Sequence, residues 1–444
     1  MKLAGDAPLW RWRFLSLPPS EAVEGERLQC HVALTDEYGT IIEPSVARIV
    51  LGAGFQVRCE VWPSLTLPAP ARSGPLMSAR QALLGEAEPM VALAGQRSEV
   101  TSMEAVSFFK CQWRFQPKLP ADCTCGSPEI SASVIIRGEW KDGRTVDPWL
   151  VLAVESSPVT IRRAGSEQTL LLPAPPSLHC TRQFEFMHVR TLPSKNSVLD
   201  KTLVDVSIRE EFGANLGAHV WNSGLVLAQW LCREQTRLLG PRCDDGSSGS
   251  RPCRVLEIGS GCGLTSIVAA RLGAAVTATD LPPVVPLLRH NVEANVNLRL
   301  PDQGFASGDC GKLTLTGSCH VQALDWTNAS TMNGAVNYDV VLAADVLYSP
   351  AAHAPLLRLL DATVASGGVA LLAVSHRNHG QAVDEATLCA AATPTTHPFF
   401  RRAGGEVDDD AAAGMPDVPE EQSRWSATCV FLFANVEILE MLRV

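Results

Sequence analysis

Residues 254–280 constrain the fold of this chain more than any other stretch. An apolar run, Val255-Leu256-Glu257-Ile258, leads into Gly259-Ser260-Gly261-Cys262-Gly263. A helical pattern follows over Leu264–Gly273, then a second apolar run that closes on Asp280. Strand, glycine turn, helix and strand in that order make one βαβ unit, and such units build parallel sheets with helices on both faces. The glycines permit a tight turn and a close approach of backbone to ligand.

The chemistry of that turn narrows the ligand. Dinucleotide folds use G-x-G-x-x-G to hold a pyrophosphate at a helix N-terminus. Here the spacing is G-x-G-x-G, and Glu257 stands two residues before the first glycine. A carboxylate there repels a pyrophosphate but accepts from an amino-acid ammonium group, which favours S-adenosylmethionine over NAD. Asp280 lies about 20 residues past the turn, where a carboxylate reaches ribose hydroxyls. Both cofactors carry such a ribose, so Asp280 does not separate them. Asp325-Trp326 follows the strand expected over Val321–Leu324. A strand-end Asp can accept from an adenine amino group while Trp covers the ring, and the same pair also reads as turn residues. The strand expected over Val340–Ala343 runs into Ala344-Asp345-Val346-Leu347-Tyr348, which puts Asp345 and Tyr348 at the sheet edge where open α/β folds bind ligands.

Around these motifs the alternation continues. Helices are expected at Val220–Cys232, Val284–Asn295 and Ala351–Val364, strands at Thr202–Ile208, Gly368–Val374 and Thr428–Ala434, and a solvated loop over the acidic Glu406–Glu421. Trp221 opens the first of these helices, a place where Trp often serves only as core. The N-terminal residues 1–169 read differently. Short β-branched and aromatic runs (Leu28–Leu34, Val46–Leu51, Phe55–Trp62, Val106–Phe115, Ala132–Trp140, Trp149–Val154) predict a mainly antiparallel β-domain of the sandwich type. A Pro/Ala-rich insertion near 63–101 reads as a long loop or partly helical segment. The Pro-dense residues 170–183 read as a linker to a second domain over 184–444.

Composition excludes several classes. A net charge of -10 argues against a polyanion-binding surface, so no nucleic-acid partner is expected. No uncharged run is long enough to span a bilayer, and Met1–Pro19 lacks the apolar core of a signal peptide. With 14 scattered cysteines, this predicts a soluble protein of a reducing compartment, cytoplasmic or also nuclear, with no membrane partner. No metal site is expected. Cys123-Thr-Cys125 lacks a second ligand pair, Asp408-Asp409-Asp410 cannot converge on one ion, and His376 and His379 read as surface residues. Cys262 reads as a small space-filler that its place beside a cofactor would make oxidation-sensitive. The sequence does not fix the oligomeric state, and a monomer suffices.

Taken together, VWNSGLVLAQWL, LEIGSGCGL, TDLP with RHNVEAN, ALDW and AADVLYSP resemble family 16 of the seven-β-strand S-adenosylmethionine-dependent methyltransferases, which includes protein-lysine methyltransferases. The resemblance covers roughly residues 200–375. It implies a doubly wound, Rossmann-like seven-stranded sheet and an enzyme that methylates a lysine of a protein substrate. It further implies that Trp221, the turn Gly259-Ser260-Gly261 with Gly263 behind it, Asp280, Trp326 and Ala344 contact the cofactor. Asp345-Val-Leu-Tyr348 would be the acidic-x-x-Tyr signature facing the acceptor lysine. The N-terminal β-domain is then expected to recognise or position the protein substrate. Another protein nitrogen, a small-molecule acceptor, or a cofactor-binding scaffold without activity are the competing readings.

Overall fold

A computed structural model describes residues 9–63 (except 24–26, 38, 43–45, 47–49 and 51–54), 90–95, 107–114, 129–162 (except 145–150), 179–191, 199–211, 215–296 (except 244–249), 317–328, 337–375, 425–433 and 436–443. Cys123 and Cys125, His376 and His379, and the acidic segment 406–421 lie outside these residues. Among the described residues no helix is long and apolar enough to cross a membrane.

Among its described residues the N-terminal part is built mostly from strands. These are β1 (Trp10–Ser16), β2 (Glu21–Val23), β3 (Arg27–Thr35), β4 (Phe55–Pro63), β5 (Met90–Gly95), β6 (Ser107–Arg114), β7 (Glu129–Trp140), β8 (Val151–Leu152), β9 (Val154–Ser156), β10 (Val159–Arg162), β11 (His179–Thr191) and β12 (Leu199–Glu211). One sheet runs β5-β6-β3-β1-β8, the other β12-β11-β9-β7-β10-β2 with β4 also paired to β7. Alternate residues of both sheets meet in one core. Trp12, Phe14, Val32 and Leu34 come from the first sheet, and Phe55, Val134, Ile136 and Val159 from the second. Trp12 stacks on Phe55, ring centroids 6.2 Å apart. Two sheets sharing one apolar interior in this way form a β-sandwich.

Three sequence expectations change here. Val46 and Val50, expected in a strand over 46–51, are helical and exposed. The insertion near 63–101 contains a strand, β5, which pairs with β6. The expected linker ends in strand: His179 opens β11, and Cys180 and Thr181 pair with Ser156 and Glu155 of β9. Pro-rich composition describes the segment before His179, and the pairing with β9 ends it.

The C-terminal part alternates helix and strand. Its elements are α1 (Asn222–Arg233), α2 (Gln235–Leu238), β13 (Arg242–Cys243), β14 (Ser250–Arg251), β15 (Arg254–Ile258), α3 (Leu264–Arg271), β16 (Ala275–Asp280), α4 (Val285–Asn295), β17 (Ser318–Ala323), β18 (Tyr338–Ala344), α5 (His353–Thr363), β19 (Val364–Ser375), β20 (Trp425–Phe433) and β21 (Val436–Arg443). β13 and β14 form a small hairpin, and the main sheet runs β17-β16-β15-β18-β19-β21-β20. The pairs among β15 to β19 are parallel, while β21 is antiparallel to both β19 and β20. The expected final strand Thr428–Ala434 is therefore the first arm of a hairpin, whose second arm inserts beside β19. Compact packing divides the chain into two units, with the division falling inside β11 and β12: Phe184–Ile208 go with the α/β part and Arg209–Gly213 with the sandwich.

Parallel strands covered on both faces read as near-continuous apolar runs. Val255, Leu256, Ile258, Val340, Val341 and Leu342 are accordingly all buried. Sheet order reverses at β15, between β16 and β18, and the crevice outside the strand ends at such a reversal is where open α/β sheets bind ligands.

Candidate active site

At that reversal lies a cavity of about 330 Å³. Its floor is the turn after β15. Gly259, Gly261 and Gly263 have φ of 68°, 52° and 86°, values L-residues with side chains rarely adopt. A side chain at Gly259 would meet Val346 Cγ1 at 3.0 Å and the Trp326 ring at 3.5 Å, and one at Gly261 would meet the Gly217 carbonyl at 3.1 Å. Glycine at these two places keeps the floor low and leaves room for a ligand. Gly263 does not line the cavity; it caps α3, with Leu288 packed against its back.

Two carboxylates from the strand ends border the turn. Asp280 Oδ2 accepts from the Gly261 N–H at 2.7 Å, and its Oδ1 from the Leu281 N–H at 2.7 Å. Burial raises its carboxyl above the ordinary value, against the pull of those two backbone donors. Each oxygen keeps a lone pair for a ligand hydroxyl. Glu257 is fully buried and accepts a short hydrogen bond from Ser266 Oγ. Burial pushes its carboxyl up to about 7, while hydroxyls of Ser266, Ser260 and Thr265 pull it down. Ser260 lines the cavity, and its hydroxyl accepts from the Thr279 N–H at 3.1 Å, tying the turn to β16.

The walls come from three further segments. Trp221, at the N-cap of α1, donates its indole N–H to the Leu216 carbonyl at 3.0 Å, which holds the ring against the preceding turn. Trp326 follows β17; its indole N–H is buried and has no partner among the described residues. Asp325 takes the turn role of the two readings open for it. Its carboxylate accepts from the Thr327 N–H at 3.0 Å and hydroxyl at 2.6 Å, and it does not line the cavity.

The third wall is the end of β18. Ala344 and Asp345 line the cavity, and a 3-10 turn, Val346–Tyr348, carries Tyr348 to its mouth, 57% exposed. Buried Val346 and Leu347 anchor the turn from below, and Nε2 of buried His353 lies 3.0 Å from the Leu347 carbonyl. That geometry calls for a proton on Nε2, since a carbonyl only accepts.

Ten of the twelve residues singled out in the sequence thus line one cavity, all but Gly263 and Asp325. Sequence reasoning missed the segment ahead of Trp221. Asn215, Leu216, Gly217 and His219 also line the cavity, and the Gly217 carbonyl accepts from Cys262 Sγ at 3.4 Å. Gly217 was the available signal: any side chain there would meet Val284 at 3.0 Å.

Residues 200–384 match the family model described as lysine methyltransferase. Over this stretch, less than half of the chain, the sequence is similar to lysine methyltransferases. All twelve singled-out residues fall inside the match, while most of the sandwich lies outside it. Protein-lysine methyltransferase METTL21E of Bos taurus is 37% identical over 139 residues, 30% of this chain and 38% of that protein. Protein N-lysine methyltransferase METTL21A of Mus musculus is 29% identical over 169 residues, 38% of this chain and 65% of that protein. EEF1A lysine methyltransferase 3 of Mus musculus is 32% identical over 180 residues, 40% of this chain and 64% of that protein. The chain spans less than two thirds of the length of each of these relatives.

Proposed function

We propose that the chain is a protein-lysine N-methyltransferase that uses S-adenosyl-L-methionine. One observation carries the reading: the glycine turn, Asp280 and Trp326 share a single cavity with Asp345 and Tyr348. The residues fit the cofactor. Gly259 and Gly261 leave the floor open to it, Asp280 has lone pairs for its ribose, and the unpartnered indole N–H of Trp326 has a donor to offer. Trp221, Ser260 and Ala344 line the same cavity. Glu257, buried beneath the turn, favours a ligand with a cationic amino-acid end.

When bound, S-adenosyl-L-methionine supplies a methyl group already activated by its sulfonium. The remaining demands are alignment and exclusion of water. A lysine side chain, with a reference pKa of about 10.4, must lose a proton before its nitrogen has a lone pair to use. Asp345 attracts the ammonium to the cavity. Tyr348 at the mouth presents both a hydroxyl and a ring face to the cation. Asp345 and Tyr348 would hold the deprotonated nitrogen toward the cofactor, which would supply the methyl group. The acidic chain favours a protein over a nucleic acid as the partner, and a monomer holds every group named here. The sandwich is assigned the task of positioning the protein substrate, and the compartment is cytoplasmic or nuclear.

The test is incubation of the full chain with methyl-tritiated S-adenosyl-L-methionine and a gel-filtered cell extract, followed by hydrolysis of the labelled protein. Label in methyl-lysine supports the reading. Label in methyl-histidine, methyl-arginine or the small-molecule fraction moves the acceptor elsewhere. Cofactor binding without any labelled product leaves a scaffold.

A further inference from the structure

Among the described residues Asp345 is the single non-glycine residue with positive φ, at 57° with ψ 31°. Such a backbone persists only where its surroundings hold it. Its N–H donates to the Ala373 carbonyl at 2.9 Å, which fixes the main chain. The carboxylate is met by a second group, because Ser375 Oγ lies 3.5 Å from Asp345 Oδ2. Ser375 is the last residue of β19 and is buried. Its hydroxyl is also 3.2 Å from that of Ser223, which is wholly buried in the first turn of α1.

A serine hydroxyl has one proton to donate. A carboxylate can only accept, so the Ser375 proton faces Asp345, and Ser375 must then accept from Ser223. The three residues form a directed chain, Ser223 to Ser375 to Asp345. It starts two residues from Trp221 and ends on the carboxylate of Asp345, and both of these residues line the cavity.

We infer that Ser375 is a positioning residue for Asp345, and that Ser223 sets the direction of its hydroxyl. The inference rests on the proposed role of Asp345 toward the acceptor lysine. Asp345 follows the last residue of β18, and its side-chain torsion falls in one of a few staggered positions. The Ser375 hydroxyl favours the one in which Oδ2 lies within its reach. Neither serine lines the cavity, so the effect falls on acceptor placement and not on cofactor contact.

The experiment compares Ser375→Ala, Ser375→Thr, Ser223→Ala, Asp345→Ala and wild type as full chains. The acceptor probe is gel-filtered cell-extract protein with methyl-tritiated S-adenosyl-L-methionine at saturation. Affinity for S-adenosylhomocysteine and the thermal midpoint are measured on the same samples. Ser375→Ala is expected to lower the maximal labelling rate on the order of tenfold, as small misplacements of a reacting group do. Cofactor-product affinity and thermal midpoint should hold. Ser375→Thr, which keeps the hydroxyl, should restore most of the rate, and Ser223→Ala should fall between.

Wild-type rate in Ser375→Ala beside a silent Asp345→Ala would overturn the inference alone. Loss of S-adenosylhomocysteine affinity or of thermal stability in step with the rate, unrescued by threonine, would also overturn it, since the serine would then be structural. No labelling by wild type would overturn the proposed function, and this inference with it.

Discussion

The carboxylate of Asp280 accepts the N–H of Gly261 across 2.7 Å, so the residue expected to meet a ribose also holds the glycine turn in shape. The turn and the end of β16 are therefore one structure. Removing the carboxylate in Asp280→Ala takes the acceptor from the part-buried N–H groups of Gly261 and Leu281 and loosens the turn. We expect affinity for S-adenosylhomocysteine to fall on the order of tenfold to a hundredfold, about 1.4 kcal/mol per tenfold. Asp280→Asn should be intermediate, because its amide can accept one of the two bonds but turns N–H groups toward the other. Titration calorimetry on the three proteins checks this, and equal affinities would contradict it.

Glu257 gives the unliganded protein a pH-dependent stability. Its carboxyl is raised from 4.5 to about 7 by burial, so the folded chain holds a proton that the unfolded chain has lost between those values. Stability from this group is thus full below about 4.5, declines as pH rises, and is gone above about 7. Glu257→Gln keeps an acceptor for the Ser266 hydroxyl and removes the titration. Relative to the variant, wild type should lose about 2–3 kcal/mol between pH 5 and pH 8, from the free energy of one pKa unit. Urea unfolding of both proteins at the two pH values reads this difference, and parallel pH profiles would refute it.

In the sandwich, Arg182 and Glu210 form an ion pair at 2.7 Å, both nearly inaccessible to water. Arg182 also donates to the carbonyls of Ala153 and Trp12 at 3.0 and 3.1 Å. Breaking a buried pair leaves a bare charge, so Arg182→Met should destabilise the chain by about 3–5 kcal/mol. Removing both charges in Arg182→Met with Glu210→Met should cost less than the single change. Chemical denaturation distinguishes the two, and a double variant weaker than the single would show that the charges earn their place by attraction.

The α/β part was largely readable in the sequence because its signals are local. Glycine spacing, apolar runs and the Asp at each strand end all lie within a few residues of one another. What escaped was decided by distant partners. β1, Trp10-Arg11-Trp12-Arg13-Phe14, alternates as a strand should, yet its arginines resemble a solvated leader. Arg11 is in fact 1% exposed, its pKa lowered to about 10 by burial and by Arg182. β21 carries Glu437 and Glu440 and so looks like surface, but it inserts between β19 and β20 with Glu437 buried. The contact of Ser223 with Ser375 joins residues 152 positions apart, which no local pattern reports.

Asp345, in the cavity of the glycine turn, is proposed to serve methyl transfer to a protein lysine. The most direct measurement is labelling of extract protein by wild type and by Asp345→Ala, with S-adenosylhomocysteine affinity measured on both. A labelled band carrying methyl-lysine is expected with wild type, no band with the variant, and similar affinity in each. Undiminished labelling by Asp345→Ala would contradict it.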